Sequence, residues 1–184
     1  TVESWRSNPV YPDFEFSVQL GDYTAASSHP SEKGIKQSVQ FYSNYLTTFS
    51  GQIIGNHDMS DWDRPDYPYK GVHRLMQETG LTTRSFAFLY DNILFINLGD
   101  TGGEGRINKQ TLAWLDSLTS RYPDNPTVFF AHAGTNKATV GEQTRDYMIY
   151  QQNRDDRPYF WKKFMSQDQI VGFFHGHSED LKDN

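Results

Sequence analysis

Four short apolar runs in this chain each end in side chains that bind metal ions. Gly21-Asp22 follows Phe14-Glu15-Phe16-Ser17-Val18-Gln19-Leu20, and Gly55-Asn56-His57-Asp58 follows Ile53-Ile54. His132 follows Thr127-Val128-Phe129-Phe130-Ala131, and His175-Gly176-His177 follows Ile170-Val171-Gly172-Phe173-Phe174. Oxygen donors mixed with neutral imidazoles suit Zn, Fe, Mn or Ni better than Ca or Mg. In open α/β sheets, ligands sit outside the carboxyl ends of the strands, so groups far apart in sequence can converge there. Gly-Asp alone is a common turn, and a lone histidine after a strand is commonly a core residue. Gly55-Asn56-His57-Asp58 is more specific, because a turn needs glycine, asparagine and aspartate but no histidine. The chemistry to expect is metal-assisted.

The elements that carry these groups follow from periodicity. Residues 14–20 alternate as a strand does. Residues 31–49 carry Ile35, Val39, Phe41, Tyr42, Tyr45 and Leu46 at helical spacing, and the short run 52–54 reads as a strand. Strand, helix, strand and polar loop form a βαβ signature. After an acidic, proline-containing loop at 59–69, a helix over 71–78 leads to strands 85–90 and 93–98 joined by an Asp91-Asn92 hairpin turn. A helix over 108–121 starts at the cap residue Asn108 and sets Leu112, Leu115 and Leu118 on one face. Buried strands follow at 127–131 and 170–174. The intervening 133–169 is a long insert with a helix over 158–165, either a solvated loop with a packing helix or a cap that faces substrate.

Composition narrows the function classes. The 184 residues fit one domain, residues 1–184, whose apolar surface comes largely from 13 Phe, 11 Tyr and 4 Trp. A formal charge of −6 argues against nucleic acid as a partner, since that needs clustered Lys and Arg. An acidic protein still binds phosphate where a metal supplies the positive charge. The chain has no cysteine, which excludes a thiolate nucleophile, a disulfide framework and a Cys-rich zinc site. No apolar run approaches the ~20 residues of a membrane helix, and localisation stays open. His29 and His73 read as surface residues. The glycine-rich 99–105 lacks the Lys-Ser/Thr ending of a P-loop.

The order Gly-Asp, Gly-Asn-His-Asp, strand-His, strand-Gly-His resembles the motif series of the calcineurin-like metallophosphoesterases, over a span from Leu20 to Asp180. The resemblance implies an α/β (α+β sandwich) fold: two mixed β-sheets flanked by helices, with a two-metal site at the strand ends. It implies two divalent ions (Mn, Fe, Zn or Ni), bridged by Asp22, one of them completed by Asn56, His132 and His177. It puts His57 beside the leaving-group oxygen, with Asp58 either sustaining its imidazolium or bracing the loop. A metal pair about 3.5–4 Å apart lowers the pKa of a bridging water, and the resulting hydroxide attacks phosphorus in line. The implied substrate is a phosphodiester or a small phosphomonoester rather than a phosphoprotein. The protein-phosphatase branch carries Asp-Arg-Gly after its Gly-Asp and ends Gly-Asn-His with Glu, where this chain has Tyr23-Thr24-Ala25-Ala26 and Asp58.

Two departures qualify the resemblance. The family opens with a strand ending Asp-x-His, which supplies ligands to the other ion, and no such motif precedes Asp22. The family also closes with Gly-His-x-His; here Gly176 and His177 match and Glu179 takes the second histidine's place, a ligand of harder preference. A competing register uses His175 and His177 instead. These departures lead us to expect a fragment of a longer protein, a sandwich incomplete at both ends, and a weaker case for the second ion. They also motivate an alternative of another class, a catalytically impaired module that keeps the fold for binding or scaffolding.

Overall fold

The computed structural model describes residues 16–22, 36–37, 39–40, 49–55, 58, 76–77, 80, 83–99, 109–132, 138–140, 143–145, 163–164 and 166–176. Strands β1 (Phe16–Gln19) and β2 (Phe49–Gln52) pair in parallel, Phe16 opposite Phe49 and Gln19 opposite Gln52. The Ile53 N–H then donates to the Gln19 carbonyl at 3.0 Å. Parallel neighbours need a crossover connection, and residues 36–37 and 39–40 within it are helical. The helix expected over 31–49 stops short of Phe49, where β2 already begins. The apolar signal misled here: Ile53 and Ile54, 0% and 1% exposed, fill the core just beyond the ladder, while Ser50 and Gly51 make the pairing.

β3 (Phe86–Tyr90) and β4 (Ile93–Leu98) form the expected hairpin. Asp91 and Asn92 stand at φ 46° and 64°, the left-handed pair that a two-residue turn needs to match the twist of its strands. Helix α1 (Lys109–Arg121) connects β4 to β5 (Thr127–Ala131), and the two strands lie parallel, a βαβ unit. Of the helix expected over 108–121, the cap Asn108 lies outside the described residues. Strands β6 (Ala138–Val140) and β7 (Gln143–Arg145) pair as an antiparallel hairpin inside the long insert, where the sequence predicts loop and helix. In the expected helix over 158–165, residues 163–164 are described and are helical. β8 (Ile170–His175) pairs in parallel with β5, so the sheet runs β3-β4-β5-β8 with one antiparallel and two parallel junctions. The described chain is thus a mixed α/β fold.

The two faces of this sheet carry different chemistry. Leu94, Ile96 and Leu98 of β4 and Phe129 and Ala131 of β5 pack with Leu112 and Leu115 of α1 and with Phe164. The helix face foreseen at Leu112, Leu115 and Leu118 is the one that packs, with Leu118 half-buried. On the other face, alternation along each strand raises a row of phenyl rings across all four. Phe88 stacks on Phe95 at 5.2 Å, Phe95 on Phe130 at 6.1 Å and Phe130 on Phe174 at 5.5 Å. Phe16 of β1 meets this row edge-on, 5.4 Å from Phe88 and 4.9 Å from Phe95. Edge-to-face pairs add about 0.5–1.5 kcal/mol each beyond area burial, so Phe16 anchors β1 over the sheet. That anchor matters because the chain beyond β1 carries Asp22.

Asn97 is fully buried on the phenyl face of β4, and among the described residues neither atom of its amide has a hydrogen-bond partner. A buried polar group left so costs about 1–3 kcal/mol. Asn97→Leu, similar in shape, is therefore expected to stabilise the protein by about 1–2 kcal/mol. Urea unfolding checks it: the midpoint should rise with the slope unchanged, and a lower midpoint would mean that the amide is satisfied. No described helix is long and apolar enough to cross a membrane.

Candidate metal-binding site

Chain leaving β1, β2, β5 and β8 meets at the carboxyl ends of those strands, and glycines make the meeting possible. Gly21 has φ +97°, and a Cβ there would strike His132 Nδ1 and come within 2.9 Å of the Gly55 backbone. A Cβ on Gly55 would strike the Asp22 carboxylate and amide and lie 2.8 Å from His132 Cε1. A Cβ on Gly176 would lie 2.9 Å from the Leu20 carbonyl oxygen and 3.5 Å from His132 Nδ1. Three strand ends thus close around one imidazole, with backbone where side chains would stand. Gln19 secures the first of them: its Nε2 donates to the Gly21 carbonyl at 2.9 Å, and its Oε1 accepts from the Gly21 N–H.

His132 is 1% exposed. Its Nδ1 lies 2.8 Å from the Leu20 carbonyl oxygen, and its Nε2 lies 3.4 Å from Asp22 Oδ2. A carbonyl only accepts, so the Nδ1 proton is committed to Leu20. Metal-ligating histidines characteristically donate their other ring N–H to a backbone carbonyl or carboxylate, which fixes the tautomer. In neutral His132, Nε2 then points a lone pair at a carboxylate oxygen. A proton on Nε2, making an ion pair with Asp22, or a metal ion bound by both groups would suit that placement. Donors about 2.1 Å from a tetrahedral ion are about 3.4 Å apart, which is the separation this pair shows. The donor set therefore fits a divalent ion of the Zn or Mn type.

Asp22 itself has φ 57°, a left-handed conformation that only a few non-glycine residues tolerate. Its N–H donates to Asp58 Oδ2 at 2.9 Å, and the same oxygen accepts from the Gly55 N–H at 2.8 Å. Asp58 is 1% exposed, and its own N–H donates to the Gly55 carbonyl at 3.3 Å, which closes the turn after β2. Of the two roles open to Asp58 in sequence, the described contacts include the loop brace.

Of the sequence-predicted site residues, Asp22, Asp58 and His132 come together here. Asn56, His57, His177 and Glu179 lie outside the described residues, although Gly55, Asp58 and Gly176 beside them border the pair. His175 is exposed, with Nδ1 2.9 Å from the Gly176 carbonyl oxygen and its ring 6.2 Å from Phe173, a core-side residue. Alternation along β8 therefore gives His175 the helix-side face, opposite to Phe174. Among the described residues no group of three or more His, Cys, Asp or Glu gathers into a metal-holding cluster. What the sequence reading missed is the backbone part of the site: the Leu20 carbonyl and the closeness of three glycines. A signal was available, since Gly21, Gly55 and Gly176 each immediately precede a candidate ligand. The sequence matches no protein-family model and no curated protein, so the functional case rests on these residues.

Proposed function

We propose that the protein is a metal-dependent phosphoesterase, acting on a phosphodiester or a small phosphomonoester, with its ions held at the carboxyl ends of β1, β2, β5 and β8 in a two-sheet metallophosphoesterase-like sandwich. The observation that carries the reading is the Asp22–His132 pair, two acceptors 3.4 Å apart with the imidazole's other nitrogen tied to Leu20. Asp22, Asn56, His132 and His177 would hold one ion; Asp22 and Glu179 would serve a second. When bound, the ions supply Lewis acidity and a nucleophile at neutral pH.

The chain's own groups do the rest. Asp22 and His132 are each held by a hydrogen bond, to Asp58 and to the Leu20 carbonyl, and groups oriented in advance reduce the reorganisation that binding of a charged substrate requires. In the reaction a water gives up a proton to solvent as its oxygen bonds to phosphorus, the ester P–O bond breaks, and the departing alkoxide takes a proton. His57 would donate that proton, its imidazolium sustained by the neighbouring Asp58 carboxylate.

The test is turnover of bis-p-nitrophenyl phosphate and p-nitrophenyl phosphate with added Mn²⁺, with and without EDTA. Metal-dependent hydrolysis of either supports the proposal, and the ratio separates diesterase from monoesterase. A folded protein that binds Mn²⁺ but turns over neither substrate would instead favour a binding or scaffolding module.

A further inference from the structure

We infer that Asp58 is a positioning residue for the Asp22 carboxylate, an inference that rests on the metal site proposed above. One buried oxygen, Asp58 Oδ2, accepts from two main-chain N–H groups, that of Asp22 after β1 at 2.9 Å and that of Gly55 after β2 at 2.8 Å. The Asp22 N–H that it holds is 36 residues away along the chain. Hydrogen bonds to an ionised carboxylate are about twice as strong as neutral ones, and burial protects the Gly55 bond from competing water.

The tie acts on orientation rather than only on stability. Asp22 sits at φ 57°, a left-handed conformation that costs an L-residue free energy relative to the right-handed region. An N–H held at Asp58 fixes the peptide plane ahead of Asp22, and φ then sets the direction in which its Cβ leaves the backbone. That direction brings Oδ2 to 3.4 Å from His132 Nε2. With the tie cut, Asp22 relaxes to an ordinary φ and its carboxylate swings from the imidazole. The Gly55 bond keeps the second wall in register, since Gly55 packs directly on the Asp22 carboxylate. What the position requires is an acceptor oxygen at one point, and the amide oxygen of asparagine meets that requirement without the charge.

Mn²⁺ titration of the metal-free protein by calorimetry, with thermal unfolding of each variant in EDTA, tests this. Metal affinity is the readout because loss of charge at position 58 lowers turnover by itself if Asp58 also sustains His57. Asp58→Asn is expected to bind Mn²⁺ within about threefold of wild type, and Asp58→Ala about 10–100-fold more weakly while still folded at the titration temperature. Asp58→Glu keeps the charge but displaces the oxygen, and is expected to lose about tenfold or more, which serves if the alanine variant does not fold. Wild-type affinity in Asp58→Ala or Asp58→Glu would overturn the inference, as would an Asp58→Asn protein as weak as Asp58→Ala. A wild-type protein that binds no Mn²⁺ would show that the metal site itself is wrong, before any variant is compared, and the inference would fall with it.

Discussion

Asp22→Asn is expected to lower metal-dependent turnover by about 10²–10³-fold in a protein that is at least as stable as wild type without metal. The substitution keeps the shape, tolerates the left-handed φ of 57°, and leaves the main-chain N–H free to donate to Asp58. It removes a ligand charge and places an amide where a carboxylate oxygen faces His132 Nε2 at 3.4 Å. In the metal-free protein that amide can donate to the imidazole lone pair, replacing an acceptor–acceptor encounter with a hydrogen bond worth about 0.5–1.5 kcal/mol. The two effects therefore have opposite signs. Steady-state rates with Mn²⁺ and urea unfolding in EDTA measure them separately. If His132 is instead an imidazolium paired with Asp22, the same substitution breaks an ion pair and destabilises the metal-free protein, the result that would contradict this expectation. Wild-type turnover in this variant would remove Asp22 from the site.

Gly55→Ala is the second large effect, expected to cost about 3 kcal/mol of stability and to abolish metal binding. The added carbon would strike the Asp22 carboxylate and main-chain nitrogen and sit 2.8 Å from His132 Cε1. Relief requires movement of backbone or of a buried imidazole, neither of which is the far end of a flexible side chain. Urea unfolding and Mn²⁺ titration check the two parts. Gly80→Ala is the natural control: Gly80 also has positive φ, 71°, but among the described residues a Cβ there meets nothing within 4 Å. It should show only backbone strain, about 1 kcal/mol, with metal affinity unchanged. An alanine at 55 that binds Mn²⁺ as wild type does would contradict the geometry of the site.

Much of the scaffold was legible because its signals are local. Alternation and turn chemistry set β3, β4 and the Asp91-Asn92 turn to within a residue, and 3.6-residue spacing marked α1 by Leu112, Leu115 and Leu118. β2 was misplaced because its pairing runs through Ser50 and Gly51, whose backbones do the work while the apolar Ile53 and Ile54 lie beyond them. The β6–β7 hairpin was missed because three-residue strands fall below the length at which alternation can be read. In the site, Asp22 and His132 were foreseen as neighbours from their positions after strands. The Leu20 carbonyl could not be, since any residue supplies a carbonyl and only the packing of β1 on the phenyl row decides which one reaches Nδ1. Asp58 was legible as a charge but not as a clamp on the Asp22 N–H, a contact between residues 36 apart.

The claim on which all this depends is a cation shared by Asp22 and His132. Anomalous scattering from crystals grown with Mn²⁺ tests it directly. A shared cation gives a peak about 2.1–2.3 Å from both Asp22 Oδ2 and His132 Nε2, lost in Asp22→Asn crystals. A Mn²⁺ peak that touches neither residue, or a bare Asp22–His132 pair at saturating Mn²⁺, would contradict it.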